Sequence, residues 1–145
     1  MSKNTEREIV QQLDQAFAKL IDSLKDLASS VPPDLLLCSA AVIEQTCGGL
    51  TANLWDDPFE WTLPETLSNA DRITEYLSEV DLARQRAFNT VRDDSALTKY
   101  ISAPTGEQLL INLLLETLVK ACDYRGRAVA TMKLLSGQGT QGFII

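Results

Sequence analysis

Apolar residues recur at three- and four-residue spacing in four separate stretches, and nowhere alternate with polar residues at a spacing of two. That periodicity admits helices and leaves no candidate for a half-buried strand. The first stretch, about 5–29, carries Ile9, Leu13, Phe17, Leu20 and Leu24 on one face, with Lys, Asp and Gln between them. Thr5 and Glu8 have the spacing of a capping box, in which each side chain satisfies the other's backbone N–H. Pro32 and Pro33 end the stretch, because proline lacks a backbone donor and forces its predecessor out of helical angles.

The second stretch, about 34–54, carries two apolar stripes. Leu36, Ile43, Cys47, Leu50 and Leu54 form a bulky one, and Leu37, Ala41, Gln45, Gly48 and Ala52 a mostly small-residue one on the opposite side. A helix apolar nearly all round is buried on both sides. A loop follows with Trp55, Phe59 and Trp61 as anchors. The third stretch, about 68–91, opens on a second capping pattern, Ser68 with Asp71. The fourth runs from Thr105, with Gln108 in capping reach, to about Ser136. The expected architecture is all-α: one domain over 1–145, a four-helix bundle of up-down helices with a longer ordered loop between helices 2 and 3.

Composition narrows function mainly by exclusion. The 145 residues hold 13 Lys and Arg against 20 Asp and Glu, a net charge of −7. An acidic balance argues against nucleic acid, whose affinity comes largely from phosphate neutralisation. No window approaches the ~18 uninterrupted apolar residues of a membrane span, and the first ten residues lack a signal peptide's apolar core. The chain contains no histidine, which removes Ser-His-Asp and Cys-His catalysis and histidine-ligated zinc. Cys38, Cys47 and Cys122 are few and odd in number. The first two sit about 13 Å apart along one helix, too far to bridge. Reduced thiols in a cytoplasmic protein are the expectation.

Bundles place functional groups on inward-facing side chains, so polar residues on apolar lines matter most. On the last helix Glu116, Lys120 and Tyr124 follow one another at four-residue spacing, with Asp123 and Arg127 on the same side and Ile111, Leu115, Leu118, Cys122 and Val129 opposite. Periodicity alone supports an outward face stitched by Glu116–Lys120 and Asp123–Arg127 pairs.

The run Tyr124-Arg125-Gly126-Arg127 with its apolar continuation, the Asp56-Asp57-Pro58-Phe59-Glu60-Trp61 loop and the Thr105-Gly106-Glu107 entry resemble the DinB family of helical bundles. That family commonly ends in a His-x-x-x-His-Arg-Gly-Gln run, of which Arg125-Gly126 match by identity. Members typically bind a divalent metal through three histidines, and some act as thiol-dependent transferases or metal-dependent hydrolases. Here the resemblance puts Lys120 and Tyr124 at the two ligand positions of the last helix and a residue near Ala41 at the third. An ammonium repels a cation and alanine offers no donor, so neither metal nor other cofactor is expected.

The resemblance turns Lys120 and Tyr124 inward, over Ala41, Gln45 and Gly48, with Glu116 or Glu44 as the acidic partner. Such a pocket would hold a small anionic ligand. Expected overall is a metal-free DinB-like module for ligand binding or protein interaction, an enzyme with a remodelled site being the alternative. The unused stripe of helix 2, together with the resemblance, predicts a homodimer.

Overall fold

The computed structural model describes residues 6–29, 33–52, 70–103 and 106–136. The described residues form four helices, α1 (Glu8–Leu27), α2 (Pro33–Ala52), α3 (Ala70–Asn89) and α4 (Leu110–Ser136), with a short 3-10 helix and a hairpin between α3 and α4. The protein is the all-α four-helix bundle that the periodicity predicts.

The direction of the helices follows from side-chain pairs. Ser39 meets Ala121 and Thr46 meets Thr117, so α2 and α4 run antiparallel. Glu44 meets Tyr76, whereas Cys47 and Leu50 line a seam with Ala87, Phe88 and Val91, so α2 and α3 run the same way. The order is therefore up, down, down, up, and not the simple alternation expected. The chain has room for this. Seventeen residues separate Ala52 from Ala70, a reach of up to about 55 Å against the ~30 Å length of a 20-residue helix.

The core is one cluster. Phe17, Ile21 and Leu24 of α1 meet Leu36 and Ile43 of α2, Ile73, Leu77 and Val80 of α3, and Leu114 and Ala121 of α4. The Phe17 and Phe88 rings pack tilted with centroids 5.6 Å apart, a geometry favoured by ring quadrupoles. Among the described residues both stripes of α2 are largely covered within the chain: Leu37 and Ala41 are buried, as are Leu36 and Ile43, and Gln45 and Gly48 are half-buried.

Two boundaries differ from expectation for local reasons. Of the Thr5–Glu8 capping box, Thr5 lies outside the described residues, as does Ser68 of the second. The start of α1 is capped from a distance. The Asp94 carboxylate accepts from the Ile9 amide at 3.1 Å and the Val10 amide at 2.9 Å, satisfying two first-turn donors. Arg7 returns the favour by donating to the carbonyls of Phe88 and Val91 at the end of α3.

The second difference is a pair of strands, the second of them where the start of the last helix was expected and the first in the connection before it. Tyr100–Ala103 (β1) pairs antiparallel with Gly106–Leu109 (β2), Ala103 opposite Gly106, so α4 starts at Leu110 and Gln108 belongs to a strand. Gly106 has φ of +119°, a conformation open to glycine and strained for residues with a Cβ. Four-residue strands are too short to display a period-2 pattern.

Candidate functional site

The seam between α2 and α4 fixes which side of α4 looks inward. Ser39 is fully buried and donates to the Ala121 carbonyl at 2.7 Å. The buried hydroxyls of Thr46 and Thr117 are hydrogen-bonded at 2.7 Å. Leu110, Leu114, Thr117, Ala121 and Ala128 thus define the inner line of α4.

Lys120 is one residue, about 100° around the helix, from that line. Its side chain is 60% exposed, with Nζ 3.3 Å from Glu116, itself 50% exposed. Arg127 likewise pairs with Asp123 at 2.8 Å. The inward placement that the resemblance implied for Lys120 is corrected: the lysine stands on the solvated face and its acidic partner is its own helix neighbour. Tyr124 is half-buried, and the Arg127 guanidinium lies 5.6 Å from its ring centroid. Side-chain packing sets a different rotation from the one the resemblance implied, because buried Ala121 and Thr117 fit the α2 seam, where an ammonium would be desolvated without compensation.

The three residues expected on α2 do not gather around Lys120. Ala41 is buried and Gln45 half-buried on the small-residue stripe. Glu44 turns to α3, where Tyr76 donates its hydroxyl to it at 2.9 Å. Burial pushes the Glu44 carboxyl above its usual range and nearby Glu79 adds to this, while the Tyr76 hydrogen bond pulls the other way. The structure therefore joins Lys120 to Glu116, Tyr124 to Arg127 and Glu44 to Tyr76, in separate places.

A metal centre does not fit these residues. The positions the resemblance singles out supply an ammonium, a phenol and a methyl group, and among the described residues no group of three or more Cys, Asp or Glu is placed to hold an ion. The described thiols are free. Burial pushes the Cys47 thiol up to about 12, holding it protonated among core residues.

Two features escaped the sequence reading. Arg84 on α3, its side chain only 11% exposed, is clamped between Asp14 of α1 and Asp81 of its own helix, the latter at 2.9 Å. For Asp81, burial alone would raise the carboxyl, but the Arg84 hydrogen bond and charge outweigh it and hold it below the ordinary value. The Asp81-x-x-Arg84 spacing was a visible signal, whereas Asp14 across the bundle was not. The other feature is an open cleft of about 590 Å³ beside the end of α3 and β1, with Arg92, Lys99 and exposed Tyr100 in its lining.

The outer side of α4 is apolar beyond what a solvated face needs. Leu115 is 44% exposed and Val119 68%, and Cys122 is exposed between them and Gly126. Spacings of four, three and four residues align these positions into one stripe beside the Glu116–Arg127 charges. No family model, curated protein or solved structure matches the chain.

Proposed function

We propose that this chain is a non-catalytic helical module, related to the DinB-like bundles but without their metal chemistry, that works by protein contact through the outer side of α4. The observation that carries the reading is the stripe of Leu115, Val119 and Cys122, left open along the helix that α2 anchors most firmly. A contiguous apolar stripe rimmed by charges is the usual make-up of an interaction surface. The buried polar groups, by contrast, are engaged in holding the bundle: Ser39, Thr46 and Thr117 join α2 to α4, and Arg84 joins α3 to α1. Free thiols, one of them buried, fit a reducing compartment such as the cytoplasm.

The test is a photo-crosslinking residue placed at Val119 in cells, with the same residue at exposed Asp22 on α1 as control. The reading expects a protein adduct from position 119 and none from position 22. A folded protein that gives no adduct from 119 would contradict it.

A second reading has one observation in its favour. The cleft lined by Arg92, Lys99 and Tyr100, with Asp93 among them, has the volume and a net positive charge to take a small anionic ligand. Calorimetric titration with inorganic phosphate and with small dicarboxylates, on the native chain and on Arg92→Ala, would support that reading if binding disappears with the arginine. Equal or absent heats on both proteins would end it.

A further inference from the structure

We propose that the contact made by the outer side of α4 is with a second copy of the chain, in an antiparallel α4–α4 pair about a two-fold axis. This rests on the reading above and names its partner. Three observations point to the same occupant.

The first is the order of charges. Along one edge of the apolar stripe stand Glu116, Lys120, Asp123 and Arg127, in the order minus, plus, minus, plus. Read from the other end, the order is plus, minus, plus, minus. Two antiparallel copies related by a two-fold axis perpendicular to the plane of the helices bring like-numbered edges side by side. Glu116 then faces the partner's Arg127, and Lys120 faces the partner's Asp123. The two intrahelical pairs join into a ladder of alternating charge. A parallel pair would set this edge against the opposite one, which holds Leu118 and Arg125, and loses the match.

The second observation is the register of the stripe itself. The charge pairing is centred between Ala121 and Cys122. The apolar positions 115, 119, 122 and 126 are centred between Lys120 and Ala121, one residue away. Shifting the two-fold centre by one residue slides the helices past each other by two, about 3 Å of rise, within the reach of Lys and Arg side chains. The overlap centred on the stripe sets Leu115 against the partner's Gly126 and Val119 against the partner's Cys122, a large residue against a small one at each level.

The third is Gly126. It lies in the middle of a 27-residue helix, where glycine costs roughly 1 kcal/mol against alanine. It has helical dihedrals, and a Cβ built on it would meet nothing within 4 Å among the described residues. None of them requires glycine there. A neighbouring helix that approaches closely, with Leu115 over the glycine, does. The interface is isologous, and a contact centred on one helix belongs to the small end of interface sizes, so a dissociation constant in the micromolar range is expected.

The experiment is sedimentation equilibrium on the full chain and on variants at exposed positions that the fold tolerates. The native chain should pass from monomer to dimer across the micromolar range. Val119→Lys should shift the midpoint at least tenfold toward higher concentration. Lys120→Glu should weaken the dimer, and Lys120→Glu combined with Asp123→Lys should restore it. That rescue separates contact between copies from contact within the helix, because the double variant leaves both intrahelical pairs repulsive. Mild oxidation should give a covalent dimer through Cys122, absent in Cys122→Ser. A native chain that stays monomeric throughout overturns the proposal. If position 119 nevertheless crosslinks a different protein in cells, the interaction reading stands and the self-pairing alone fails. If the chain dimerises but the charge double variant does not recover, the antiparallel arrangement is wrong.

Discussion

Ser39 on α2 donates its hydroxyl to the Ala121 carbonyl on α4 at 2.7 Å, and this bond between two fully buried residues sets the rotation of α4. With Ala121 inside, Lys120 and Glu116 stand on the solvated face and Leu115, Val119 and Cys122 on the flank beside it. A rotation of one residue would have buried the ammonium and exposed the threonine of the α2 seam.

Lys120→Met follows from that rotation. An exposed pair at (i, i+4) contributes a few tenths of a kcal/mol, so chemical denaturation of the variant should agree with the native chain within about 0.5 kcal/mol. A change above about 1 kcal/mol would place the lysine in the interior.

The Thr46–Thr117 hydroxyl pair should behave as a unit. Replacing either threonine alone by valine leaves the other buried hydroxyl without its partner, at a cost of about 1–3 kcal/mol. The double replacement removes both polar groups and preserves shape, and should cost clearly less than the sum of the two. Denaturation midpoints of the four proteins give the coupling; strict additivity would mean the two hydroxyls do not interact.

The two perturbed carboxylates act oppositely on stability as pH changes. Asp81 is held below its ordinary value, so its contribution is present above the unfolded value near 4 and is lost as pH falls through the folded one. Glu44 is held above its ordinary value, so the folded state binds its proton more tightly, and stability declines as pH rises from about 4 through the folded value. Glu44→Gln keeps an acceptor for Tyr76 and removes the charge. It should be more stable than the native chain at pH 7, with the advantage fading below about pH 4. An equal difference at both pH values would contradict a burial cost on the charged form.

How much of this was legible depended on the range of the interaction. Phe17 and Ile43 announce their buried faces by spacing alone, because the helical period is local, whereas on α4 the spacing picked out Leu115 and Cys122, which are exposed, and passed over buried Leu114. The cap of α1 by Asp94 was not legible: the carboxylate and its amides are 84 and 85 residues apart in the chain. The hairpin was missed because its strands are only four residues each, and the Thr-Gly-Glu sequence around Gly106 reads equally well as a helix start. For the site, the choice between inward and outward faces of α4 turned on Ser39 and Thr46 of another helix. The DinB resemblance assigned the face by analogy, and the packing of Ala121 assigned it otherwise.

The pairing of the outer side of α4 with a second copy is tested most directly by the reactivity of its exposed thiol. The rate at which a small thiol reagent labels Cys122 should be measured at nanomolar and at high micromolar protein, with the buried Cys47 unreactive at both until the chain unfolds. The account predicts that Cys122 is labelled several-fold more slowly at the higher concentration, and that Val119→Lys abolishes the difference. A Cys122 rate that is the same at both concentrations in the native chain would contradict it.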